Sequence, residues 1–194
     1  MSFNLGINWD LSGFKEENVY DLMGFALNKE GKCKNVTGLF CQENKNNGEM
    51  ISIHEAIKLT GSNNNKEICV RLSIDINSLP IYCKEVMFFA VSKNEWKKSA
   101  KFSELEFFNV YQNMDDTNNS LVPNYYSNNE KHSEVIPMIN ICEITNFKEM
   151  NTTGVFHIGN LVRVGDKFEF TQIFEFIDKD LVQLGANFDI KFIE

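Results

Sequence analysis

Apolar and polar positions alternate along much of this chain, and the alternation has the period of a strand rather than of a helix. In "ICVRLSIDI", Ile68, Val70, Leu72, Ile74 and Ile76 fall on one face and Cys69, Arg71, Ser73 and Asp75 on the other. That pattern predicts a half-buried strand. "EVMFFAVS" is apolar almost throughout and reads as the central strand of a sandwich. "YDLMGFALN" is a further strand, closed by the glycine turn "KEGK". "VTGLFCQ", "MISIH", "LEFFNVYQ" and "VIPMINICEI" are strand candidates too. Near the end, "GVFHIGNLVRVGDKFEFTQIFEFI" holds two β-rich runs joined at "VGDK", a Gly-Asp hairpin signal. Phe168, Phe170, Ile173, Phe174 and Phe176 supply its core residues.

Helical signals are few. "SIHEAIKL" carries a capping-box pair, Ser52 with Glu55, and "SELE" could begin a turn, but strand or loop is the better reading of both. "DKDLVQLGANF" predicts a short helix, capped by Asp178 and stopped by Gly185. Residues 113–134 are polar, rich in Asn and Ser, and read as a long loop insertion. No internal repeat of fixed period is visible. About eight or nine short strands with frequent turns predict an all-β, two-sheet β-sandwich with one or two short helices, filling residues 1–194 as a single domain.

Composition supports a globular core. The chain has 194 residues, 43% of them hydrophobic, including 17 Phe. A chain of this length needs no disulfide or metal to hold its core. The net charge of −8 opposes a broad nucleic-acid footprint and contact with anionic lipid surfaces. No apolar run approaches the length of a membrane helix, and "MSFNLGINWD" has no signal-peptide pattern. The five cysteines are scattered, with no C-x-x-C pair, as expected of buried reduced thiols in a cytoplasmic protein.

Catalytic signals are missing. No G-x-S-x-G, H-E-x-x-H, P-loop or dinucleotide glycine fingerprint occurs, so no enzyme activity is expected. Of the three histidines, His157 reads as a satisfied structural residue, His132 lies in the polar insertion, and His54 is a candidate ligand or base without a carboxylate partner assigned by sequence. No EF-hand spacing is present.

Several segments in order resemble the TerD-like family of bacterial tellurium-resistance and stress-response domains. "LGINWD", Leu5 to Asp10, is similar to the family's L-G-W-D with two residues inserted. "VYDLMGFALNKEGK" resembles D-L-D-A-S-A-F-L-L and its glycine turn. "NNGEMISIHEAIKLTG" keeps His54, Thr60 and Gly61 at family spacing. "DINSLPIYCKEVMFFAV" and "FSELEFFNVYQ" resemble the next two segments. "GNLVRVGDKFEF" is similar to G-E-L-Y-R followed by W-K-F, with Gly159, Leu161, Arg163, Lys167 and Phe168 in register. The coverage is nearly the whole chain apart from the insertion.

The resemblance implies a β-sandwich without catalytic activity, acting by protein interaction or self-association. It also implies calcium sites, carried onto Asp10, Asp21, Asn63, Asn65 and Glu67, with His54 nearby in sequence. Here the family's acids are mostly replaced. Val19 stands at the first aspartate of D-L-D, leaving Asp21 alone. Ala56 and Ile57 replace a G-D pair, and Asn63, Asn64, Asn65 and Lys66 replace the acidic loop before Glu67. Each carboxylate within ~4 Å of a cation contributes about 4 kcal/mol or more of gross attraction at an effective dielectric of ~20. Neutral amides forgo that term, so weak calcium binding at most is expected and no cofactor is required.

Overall fold

A computed structural model describes residues 2–9, 20–33, 39–40, 56–61, 70–92, 108–114, 138–145, 155–179 and 181–189. Ten strands are seen among these residues. They are β1 (Ser2–Trp9), β2 (Tyr20–Leu27), β3 (Leu39–Phe40), β4 (Ile57–Gly61) and β5 (Val70–Asp75). After a 3₁₀ turn at Ile76–Ser78 come β6 (Glu85–Ser92), β7 (Phe108–Met114), β8 (Ile139–Ile144), β9 (Val155–Val164) and β10 (Lys167–Phe176), then helix α1 (Leu181–Ala186). The first sheet has the order β4-β5-β1-β7-β8 and the second β10-β9-β6-β2-β3. Every described pair is antiparallel. The expected all-β sandwich is borne out.

The main core lies between the sheets. Phe3, Leu5, Ile7, Val70, Leu72, Phe108 and Val110 of the first sheet meet Leu22, Ala26, Val86, Phe88, Ala90, Phe156, Ile158 and Leu161 of the second. Phe3 and Phe88 stack across the interface with centroids 5.4 Å apart. Val70, Leu72 and Ile74 are buried as their alternation requires, while Asp75 is exposed and caps the 3₁₀ turn by accepting from the Asn77 amide.

A second core covers the outer face of the second sheet. Met23, Phe25, Leu27, Phe89, Val91 and Val155 point away from the sandwich interior and are covered by Cys33, Leu184 and Phe188. This is why "YDLMGFALN" and "EVMFFAVS" read as continuous apolar runs: β2 and β6 are buried on both faces. β6 is indeed the middle strand of its sheet.

The hairpin joining β9 to β10 forms at Gly165 and Asp166, as "VGDK" predicts. Gly165 takes φ +63 and Asp166 does not, the pattern of a turn with glycine first. Above it the strands are irregular. Phe88 pairs with Gly159 and Phe89 with His157, so Ile158 is an extra residue in β9. On the other side Gln172 pairs with Gly159 and Glu175 with His157, so Ile173 and Phe174 together oppose Ile158. Two bulges therefore lie side by side, and Phe174 takes φ +55. Left-handed backbone at an aromatic residue costs about 1–2 kcal/mol. In return its ring lies parallel to Phe156 at 6.4 Å.

Two expectations change, at the helix and at the insertion, and one segment is settled. Helix α1 begins at Leu181, three residues after Asp178, and Gly185 lies inside it. The left-handed residue past its end is Asp189 at φ 61. "IKL" at the end of the capping-box segment belongs to strand β4, in keeping with the preference for strand or loop over helix, while Ser52 and Glu55 lie outside the described residues. β7 runs through Asn113 and Met114, the first two residues assigned to the insertion, whose remainder also lies outside them.

Gly159 faces crowded backbone. A β-carbon there would run into the Thr171 carbonyl oxygen and stand 2.8 Å from Cζ of Phe170. Gly159→Ala is expected to cost about 1–3 kcal/mol, read as a lower denaturant midpoint at unchanged slope. Gly165→Ala meets no atom within 4 Å and pays only for its positive φ, about 1 kcal/mol.

Candidate functional site

The bulge in β9 changes which side chains share a face. Residues three apart in a regular strand point opposite ways. Across the extra residue, Ile158 and Leu161 both enter the main core. His157 and Asn160 correspondingly share the outer face of the second sheet. There they interrupt the apolar second core with a polar group.

His157 is 5% exposed and stacks on Phe89 with centroids 4.6 Å apart. Its Nε2 lies 2.6 Å from Oδ1 of Asn160. The Asn160 amide donates to Oε1 of Glu85 at 2.7 Å. Its carbonyl oxygen is thus the acceptor toward the ring, which places the imidazole proton on Nε2. Nδ1 faces Oε1 of Glu175 at 3.8 Å. Burial pushes the His157 pKa below its usual value; the Asn160 bond and the Glu175 and Glu85 charges oppose that shift without overcoming it. A buried, stacked ring bonded at Nε2 fits the expected structural histidine, with Nδ1 left facing Glu175.

A second buried polar group lies on the outer face of the first sheet. Arg71, 8% exposed, donates to Oδ1 of Asn4 at 2.9 Å and to Oγ of Ser73 at 3.2 Å. Asn4 is wholly buried. Alternation had assigned Arg71 and Ser73 to the open face of β5; the structure buries Arg71 and leaves Ser73 half-buried. Alternation reports only which residues share a face, and cannot say whether that face is covered.

The candidate calcium ligands are placed only in part. Asp21 lies in β2, where its backbone pairs with Val91. Asp10, His54, Asn63, Asn65 and Glu67 lie outside the described residues. The strand ends around them are fixed. Val70 pairs with both Ile7 and Gly61, so β4 ends and β5 begins at one end of the first sheet. Asn63, Asn65 and Glu67 fall in sequence between those two points. His54 precedes Ile57, which pairs with Ile74 at the opposite end of β4. Among the described residues, no three His, Cys, Asp or Glu side chains are grouped to hold a metal ion.

Several positions of the motif "GNLVRVGDKFEF" have a structural use. Gly159 permits close strand approach. Arg163 donates from Nε to the Cys83 carbonyl at 3.0 Å and lies 4.4 Å over the Phe168 ring. The described cysteines are free thiols, and burial raises Cys33 to about 12 and Cys83 to about 11. Such thiols are not nucleophiles near neutral pH. Cys41 and Cys69 lie outside the described residues.

Comparison with solved structures gives the same architecture. A homologue of the telluride resistance protein TerD from Streptomyces coelicolor A3(2) matches with TM-score 0.63 at 10% identity, over 95% of this chain and 94% of that one. A protein of unknown function, SAV2460, matches with TM-score 0.61 at 14% identity, over 95% and 94%. No family model matches the chain, and no curated protein matches it. The chain has the TerD-type sandwich fold. No helix among the described residues is long and apolar enough to cross a membrane.

His157 holds its proton less tightly when folded than when unfolded. The unfolded chain therefore binds more protons as the pH falls through the usual histidine range, and stability falls with it. His157→Gln is expected to flatten the decline in melting temperature between about pH 7 and 5 relative to the parent protein. The other two histidines are common to both proteins, so the difference between the curves isolates His157.

Proposed function

We propose that this chain is a divergent TerD-like domain that works without catalysis, by binding a protein partner or a second copy of itself, in a bacterial stress response. The observation that carries the reading is the near full-length match to the fold of a TerD homologue. Six sequence segments in the family's order support it independently. We place the domain in the cytoplasm, a reading supported by the buried free thiols of Cys33 and Cys83. The contact regions on this reading are its acidic faces and the polar insertion.

The same reading holds that calcium binding is largely lost. Of the implied ligands only Asp10, Asp21 and Glu67 are acidic, and Lys66 adds a positive charge beside the last of them. Calcium is bound by six to eight oxygens, several of them ionised in tight sites. The rival reading is a calcium-dependent module whose partner affinity follows the ion.

Calcium titration separates the two. Specific binding to the folded state raises the melting temperature by mass action. The expected outcome is a shift of less than a few degrees at millimolar calcium and no saturable heat in calorimetry. Asp21→Asn is then expected to leave the melting temperature in calcium unchanged relative to calcium-free buffer. A saturable shift abolished by Asp21→Asn establishes the calcium-dependent module instead.

A further inference from the structure

The outer face of the second sheet holds one feature that a structural histidine alone does not explain. With its Nε2 proton given to Asn160, the neutral His157 ring points an Nδ1 lone pair at the Glu175 carboxylate, 3.8 Å away. Two acceptors face each other and no hydrogen bond joins them. Among the described residues, the charged groups directed at the ring are Glu85 from β6, through Asn160, and Glu175 from β10. The ring's stacking partner on β6, Phe89, is apolar.

We propose that His157 and Glu175 form a proton-operated latch between β9 and β10. A proton taken up at Nδ1 turns the facing acceptors into a donor and an anionic acceptor. The gap then closes into a charge-assisted hydrogen bond. The Glu175 side chain is 63% exposed and free to move in, whereas the ring is fixed by Phe89 and Asn160. Glu175 follows Phe174, whose left-handed backbone marks the bulge, and pairs in register with His157. Acidification thus fastens the one stretch of β10 whose ladder is interrupted. Asn160 stays in place in both states, because Nε2 is a donor in the neutral tautomer and in the imidazolium alike.

The latch also sets how the cost of charging the ring is divided. Burial alone opposes the imidazolium; closure onto Glu175 recovers part of that cost. Removing Glu175 leaves the burial and removes the recovery.

The test is an NMR titration of the imidazole carbon and nitrogen resonances, with His157→Gln used to assign the His157 signals. In the parent protein the Glu175 carboxyl resonance is expected to show an inflection at the same pH as the ring. Glu175→Gln, at an exposed position, is expected to move the His157 midpoint to lower pH, so that the protonated fraction at the parent midpoint falls several-fold. Glu169→Gln, an exposed carboxylate on the same strand, leaves it in place. If Glu175→Gln leaves the His157 midpoint unchanged or raises it, or if Glu175 shows no inflection with the ring, the latch does not exist.

Discussion

A strand has two faces, and the inner strands of the second sheet, β2 and β6 with the start of β9, bury both of them. One face meets the first sheet through Phe88, Phe156 and Leu161; the other meets α1 and the chain after it through Phe25, Phe89 and Val155. Strict alternation across β9 would leave no way to correct a mismatch between those two demands. The extra residue at Ile158 resets the alternation midway, and the extra residue beside it in β10 follows suit. Everything distinctive in this half of the molecule depends on that pair of bulges. They place Ile158 and Leu161 in one core, bring His157 and Asn160 to the same side, and turn Phe174 inward. Bulges concentrate where a side chain has to be re-aimed, and here the re-aimed side chain is a buried imidazole.

The polar groups on the two outer faces differ in kind. Arg71 is held by neutral oxygens from Asn4 and Ser73 on its own sheet. Of those two bonds, the one to Asn4 rivets β5 to β1. His157 sits between groups of different response: a neutral amide that never changes charge and a carboxylate that is loose in solvent. The first group joins two strands of one sheet; the second carries a titrating ring.

Much of the architecture was legible in the sequence because each local signal had one physical meaning. The glycine of "VGDK" could supply the positive φ of a two-residue hairpin, and Gly165 does. The unbroken apolar run of β6 required burial on both faces, and β6 is central. The bulges were not legible. The residue in left-handed backbone is Phe174 rather than a glycine, so nothing in "TQIFEF" marks it. The burial of Arg71 was hidden for another reason: its strand alternates perfectly, and alternation is blind to what lies above a face. For the candidate site, sequence located the strand that follows the Asn63–Glu67 segment but not β4 before it, while the polar group at His157 came from three segments, Glu85, His157 to Asn160, and Glu175, and needed the register to assemble.

The end of α1 is tied to a turn made early in the chain. Lys32 donates to the Asn187 carbonyl and pairs with Asp189, and the Cys33 amide donates to the Phe188 carbonyl. The middle strand of the second sheet likewise waits for β9, and β9 for β10. One apolar side of β2 and β6 is thus covered in part by Leu184 and Phe188, which lie far along the chain from those strands. Such long-range closure makes for slow folding and an exposed intermediate.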